Sequence, residues 1–206
     1  MGTFWGLARL AVLGGVLALV GCKTVENSLT ANDISSMKLT SVTVSFAPGA
    51  RVLWEESVRA YAASKAIPDD EIGKAMDTPE AKAYVQKMLS PHVKASVDQA
   101  MAGQLNGTRP VRLDIVVKNF ALPSAVQRIV IGGAREMTAD ANLVDAKTGV
   151  VIIAYPEMRS FLIAGEGVLG AAVQAAADSA ASRAVVDQVT DRYAQDYRNW
   201  LLRRTS

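Results

Sequence analysis

The 206-residue sequence is short of several things that carry chemistry in proteins. It has one cysteine and one histidine, so internal disulfides are excluded, and so are zinc sites built from Cys and His. Aromatic residues make up 6%, and the formal net charge is only +2. No stretch concentrates the basic residues, which removes the electrostatic case for nucleic-acid binding. The longest apolar run, residues 10–20, is too short to cross a bilayer, which needs about 20 residues. With 50% hydrophobic residues, one globular domain with a sizeable core is expected.

What is present begins at the N-terminus. Arg9 and the free amine give a positive start, residues 10–20 an apolar centre, and Gly21 a small residue before Cys22. Extending the apolar run back to Phe4 would bury Arg9 in hydrocarbon at a cost of about 2.5–3.5 kcal/mol. Met1-Gly2 does not open a myristoylation motif, because position 6 is Gly6 where that motif needs Ser or Thr. A lone thiol in an exported protein is a reactive liability that acylation would remove.

Leu19-Val20-Gly21-Cys22 resembles the lipobox of bacterial lipoproteins. The resemblance implies cleavage between Gly21 and Cys22, acylation of Cys22 by palmitate-type chains, and attachment to a membrane. Lys23 stands where inner-membrane retention favours aspartate, so an outer-membrane location facing the periplasm is implied. Removing residues 1–21 takes out Arg9 and no acid, leaving 21 basic and 20 acidic side chains. Residues 1–21 are thus expected to be a signal peptide and 22–38 a lipidated tether, flexible because rich in Ser, Thr and Asn. A single domain is expected over 39–206.

Within that domain, Val42, Val44 and Phe46 alternate with Thr43 and Ser45 as a half-buried strand closed by Ala47-Pro48-Gly49. Residues 51–66 have helical composition. Thr78-Pro79-Glu80 is a helix start, with a capping hydroxyl, a first-turn proline and an acid at the positive end. Ser90-Pro91 repeats the signal, so a break and a second helix ending at Asn106-Gly107 are expected.

Val111, Leu113, Ile115 and Val117 alternate with Arg112, Asp114 and Lys118 as the clearest strand. Residues 126–131 form a largely apolar run too short to classify. Met137, Ala139, Ala141 and Leu143 alternate again, and Asp145 to Gly149 is turn chemistry leading to a strand over 150–155. Pro156 should end that strand, with an edge segment over 158–164. From about 167 to 203 the pattern is helical, roughly 55 Å at 1.5 Å per residue. Together these predict an α+β fold: a mixed or antiparallel sheet of about four to five strands, helices packed on one face, and a long C-terminal helix.

Candidate sites are few. Gly165-Glu166-Gly167-Val168-Leu169-Gly170 matches the dinucleotide fingerprint, but the second strand with its ribose-binding acid does not follow. A glycine hinge feeding an alanine-rich helix, open to self-association, is the reading preferred. His92 has no acid or histidine at helical spacing for metal, and no G-x-S-x-G elbow accompanies it. Asp69-Asp70-Glu71 reads as a solvated turn, since it lacks the alternating ligands and glycine of a calcium loop. Trp54, Tyr193, Tyr197 and Trp200 suit core positions, the last two also a partner's surface.

No catalytic set, cofactor site or metal site emerges. The stretch from Gly132-Gly133 through Leu143-Val144-Asp145-Ala146-Lys147-Thr148-Gly149 resembles one shared by bacterial envelope lipoproteins of unassigned role. It implies a periplasm-facing α+β domain, and the expectation is a non-enzymatic accessory subunit that binds another envelope component. A carrier of lipid or another apolar ligand is the alternative, and a hydrolase using His92 the remote one.

Overall fold

The computed structural model describes residues 25–123, 134–162 and 184–204. Four strands form one mixed sheet in the order β1-β2-β3-β4: Met37–Trp54, Arg109–Leu122, Arg135–Asp145 and Val151–Leu162. The first pair is parallel, with Val42 opposite Leu113, and the other two pairs are antiparallel. Helices α1 (Ala31–Ser36), α2 (Glu55–Lys65), α3 (Ile72–Ala75), α4 (Pro79–Met101) and α5 (Val185–Leu201) complete the described elements. The fold is α+β, with α4 and α5 packed against one sheet face and against each other.

The alternation in β2 sets the core. Val111, Leu113, Ile115 and Val117 are fully buried, as are Met137, Ala139, Ala141 and Leu143 of β3. Against them lie Leu89, Val93 and Val97 of α4 and Val189, Tyr193, Tyr197 and Leu201 of α5, in one continuous apolar cluster. The three- and four-residue spacing in α5 puts its buried residues on a single stripe. The opposite sheet face is polar: Asp114 accepts from Arg112 and Thr43, Lys118 pairs with Asp140 at 2.9 Å, and Glu136 pairs with Arg159.

Three prolines behave differently from expectation. Pro48 does not close β1. The strand bulges between Phe46 and Arg51 and then resumes pairing with β2 through Trp54, so residues 51–54 are strand and the helix starts only at Glu55. Pro91 does not divide α4, which runs unbroken from Pro79 to Met101. The bond that Pro91 cannot donate would have gone to the carbonyl of Lys87, and both residues are exposed, where water can replace it. Pro156 does not end β4, because among the described residues β4 is the edge of the sheet and an edge tolerates a missing donor. Glu157, at φ 51°, takes up the resulting bulge.

The expected tether is also corrected. From Val25 onward the segment is docked on the domain. Leu29 is buried, Thr30 and Asp33 form a capping box on α1, and Met37, which opens β1, is fully buried. Gly107 lies so close to α1 that a Cβ there would collide with the carbonyl oxygen of Ser36. The long C-terminal helix is seen over Val185–Leu201; its expected first half falls outside the described residues.

Candidate functional site

Among the described residues, three places beyond the polar sheet face bring polar side chains together, and none was visible as a linear motif. The first is the seam between α4 and α5. His92 is not a first-turn residue: it sits at mid-helix in α4, its Nδ1 2.7 Å from Asp187 Oδ1 of α5 and its ring edge-on to Trp54 at 5.5 Å. One turn on, Ser96 Oγ lies 2.6 Å from Asp191 Oδ1 and 2.7 Å from Thr190 Oγ1. An ionised carboxylate only accepts, so Ser96 gives its proton to Asp191, beside a Thr190 hydroxyl that also reaches the Val186 and Asp187 carbonyls. The serine is therefore engaged by an acid and a hydroxyl, with the imidazole committed to a different acid. This geometry clasps two helices, and it does not bring the imidazole to the serine.

The second place is a groove of about 780 Å³ between the edge strand β4 and α5. Tyr155 and Trp200 meet edge to face at 4.9 Å, and Phe161 stands 55% exposed. Ser160 Oγ donates to Asp196 Oδ2 at 2.7 Å, and Arg192 Nε donates to the same oxygen at 3.1 Å. Arg159 and Arg204 also line it. It combines aromatic surface with a surplus of arginine, which suits a partner or ligand that is apolar and anionic.

The third is the N-terminal strap. Asn27 Nδ2 donates to the carbonyls of Trp200 and Leu201 at 3.0 and 2.8 Å, satisfying two acceptors at the open end of α5. Trp200 Nε1 donates to the Val25 carbonyl at 2.7 Å, and Arg203 Nη2 donates to the Asn27 carbonyl at 2.6 Å. An asparagine in a polar N-terminal stretch gives no hint of a partner more than 170 positions away.

Of the other residues singled out from the sequence, Asp69, Asp70 and Glu71 are exposed in the turn before α3. Trp54, Tyr193 and Tyr197 are core, and Trp200 is half-buried between the groove and the strap. Burial raises the Tyr193 and Tyr197 hydroxyls well above the usual phenol range, so both stay neutral. Gly21, Cys22 and the Gly165–Gly170 fingerprint lie outside the described residues.

Two solved structures are similar in part. One is a protein of Caulobacter crescentus CB15 described as a candidate lipoprotein, 16% identical over 55% of this chain and 80% of that one, at a TM-score of 0.33. The other is a Xanthomonas campestris protein of the DUF330 family, also 16% identical, over 58% of this chain and 62% of that one, at a TM-score of 0.36. Both scores are too low to carry a fold or a function across. No curated protein matches the chain significantly. The model of a family of unknown function, DUF6778, matches residues 82–206, from α4 to the C-terminus and more than half of the sequence, and the chain belongs to that family.

Proposed function

We propose that this protein is a lipid-anchored envelope lipoprotein of non-enzymatic role, held at the outer membrane and facing the periplasm, where it binds another envelope component as an accessory subunit. The observation that carries this reading is the position of Cys22. The single thiol of the sequence directly follows an apolar run and a glycine, in the lipobox pattern Leu19-Val20-Gly21-Cys22. Lys23, in place of aspartate, favours the outer membrane. The accessory role is supported by the β4–α5 groove. Its exposed Phe161 offers apolar surface, and the edge of β4, unpaired among the described residues, offers backbone donors and acceptors. The seam at His92 and Ser96 supports structure over catalysis.

Metabolic labelling with a clickable palmitate analogue tests the anchor. The wild-type chain should take up label and sediment with membranes, and Cys22→Ser should lose both. Unlabelled wild-type protein would sink the reading. A photoreactive phenylalanine analogue at position 161 tests the accessory role in intact cells. One discrete heteromeric adduct of constant mass is expected; a solitary protein at native expression would count against it.

A second reading is favoured by the groove volume: a carrier of a lipid or another apolar ligand between β4 and α5. Native mass spectrometry of the detergent-extracted protein separates the two, since a carrier retains a small molecule and an accessory subunit does not.

A further inference from the structure

The strap has a consequence for how the domain sits on its membrane. Cys22 and Val25 are three peptide steps apart, so their α-carbons can be separated by at most about 11 Å. Val25 is bonded to Trp200, and Asn27 is clasped to the last carbonyls of α5. An acylated Cys22 therefore holds Val25 within about 11 Å of the lipid surface, and Asn27, clasped to the end of α5, within about 18 Å, against roughly 5–7 Å for one headgroup layer. Three peptide steps are too few to hold the domain far from the bilayer.

The fold gathers other segments at that same end. Along the groove, Asp196 meets Ser160 and Trp200 meets Tyr155, so α5 runs toward the turn that joins β3 to β4. Arg204 Nη2 donates to Gln104 in the loop after α4, and that loop bonds to the start of β1 through the Gly107 amide and the Met37 carbonyl. Met37 faces Arg109, and Arg109 reaches Asp145 at the β3–β4 turn. Two of the four large exposed apolar side chains among the described residues stand at this turn, Val150 at 64% and Val151 at 52%. Exposed Lys147 stands in this turn, and exposed Lys38 at the start of β1 and Arg203 and Arg204 after α5 belong to the same end, against the exposed acids Glu26 and Asp33. These cations are scattered in sequence and collected only by folding.

We propose that this end of the domain rests on the bilayer, with Val150 and Val151 in the interfacial layer and Lys147, Arg203 and Arg204 on lipid phosphates. The occupant of the surface is the lipid headgroup layer of the membrane that holds Cys22. The proposal rests on acylation of Cys22. Apolar side chains at a basic rim partition into that layer, and the attraction of cations to anionic headgroups acts within a Debye length.

The acylated full mature chain, reconstituted in vesicles of phosphatidylethanolamine and phosphatidylglycerol, tests it. Acylation consumes the Cys22 thiol, so Val150→Cys or Lys74→Cys supplies the only free thiol for a fluorophore. Both positions are exposed, and Lys74 lies in α3, near the far end of β1. With nitroxide-bearing headgroup lipid in the vesicles, quenching should be severalfold stronger at position 150 than at 74. Lys147→Glu combined with Lys38→Glu, two exposed cations outside the strap, should weaken quenching at 150 while the protein still co-sediments with vesicles. Equal quenching at the two positions would overturn the proposal, as would protection of position 150 that needs another envelope protein. Failure of the anchor itself is read separately, from the mass of the N-terminal peptide and from loss of co-sedimentation.

Discussion

The amide of Asn27 and the carbonyl of Leu201 are joined by a 2.8 Å hydrogen bond across 174 positions of sequence. The same amide also reaches the Trp200 carbonyl, so one side chain closes the open end of α5 and fixes the start of the folded chain. Asn27→Ala leaves two part-buried carbonyls without this donor. It should cost about 1–2 kcal/mol in chemical denaturation. Native-state hydrogen exchange should show residues 25–29 opening before the sheet does. Unchanged exchange in that segment would mean that Trp200 and Arg203 hold the strap without Asn27.

Gly107 is the second point at which the N-terminal segment is pinned. Its amide donates to the Met37 carbonyl at 2.7 Å, and the next amide, Thr108, donates to Ser36 at 2.9 Å. The obstacle to a Cβ here is the Ser36 backbone, which cannot rotate away as a flexible side chain could. Gly107→Ala should therefore cost about 2 kcal/mol or more, whereas Gly73→Ala, with open space around it, should stay within about 0.5 kcal/mol. Thermal melts of the two variants check this contrast.

The two buried tyrosines of α5 make an opposed pair. Tyr193 Oη donates to the Ala139 carbonyl at 3.3 Å, whereas Tyr197 Oη is buried with no hydrogen-bond partner among the described residues. Tyr193→Phe should cost about 0.5–1.5 kcal/mol, the usual net worth of such a bond. Tyr197→Phe removes an unsatisfied polar atom, and should be neutral or stabilising by about 1 kcal/mol. Urea denaturation of both proteins decides it; a clear loss in Tyr197→Phe would show that its hydroxyl does have a partner.

The pattern of what could be read from sequence follows from range. Val111 to Val117 and Met137 to Leu143 declare themselves because one sheet face meets helices and the other meets water, so the period of two survives in the residues. The Thr78-Pro79 helix start is equally local: Thr78 Oγ1 accepts from the Ala81 amide at 3.3 Å. Prolines 48, 91 and 156 misled because their cost depends on surroundings the sequence does not display. A paired neighbour strand carries β1 past a bulge, solvent takes the lost bond in α4, and an edge needs no donor. The side-chain clusters were hidden for a different reason. His92 and Asp187, Ser96 and Asp191, and Asn27 and Leu201 are partners only because α4, α5 and the strap pack together. No periodicity links such positions.

The β3–β4 turn supplies a pH prediction. The Thr148 amide, the Arg109 guanidinium and the Lys147 amide all bond to the Asp145 carboxylate, and together they hold it below the ordinary aspartate value of about 3.9. A carboxylate depressed in the folded state binds its proton more readily when unfolded. Its contribution is thus fully present above the unfolded value, and is lost as pH falls through the folded one. Asp145→Asn keeps an acceptor for the two amides and removes the charge. Wild type should therefore be the more stable at neutral pH, and the gap should narrow as the medium is acidified below about pH 4. Denaturant melts of the two proteins across that range measure it. The variant should also show less protection of the Thr148 and Val150 amides, since the turn that presents Val150 is organised by this carboxylate. A gap that persisted unchanged into strong acid would mean that Asp145 acts through shape and hydrogen bonding alone, and not through its charge.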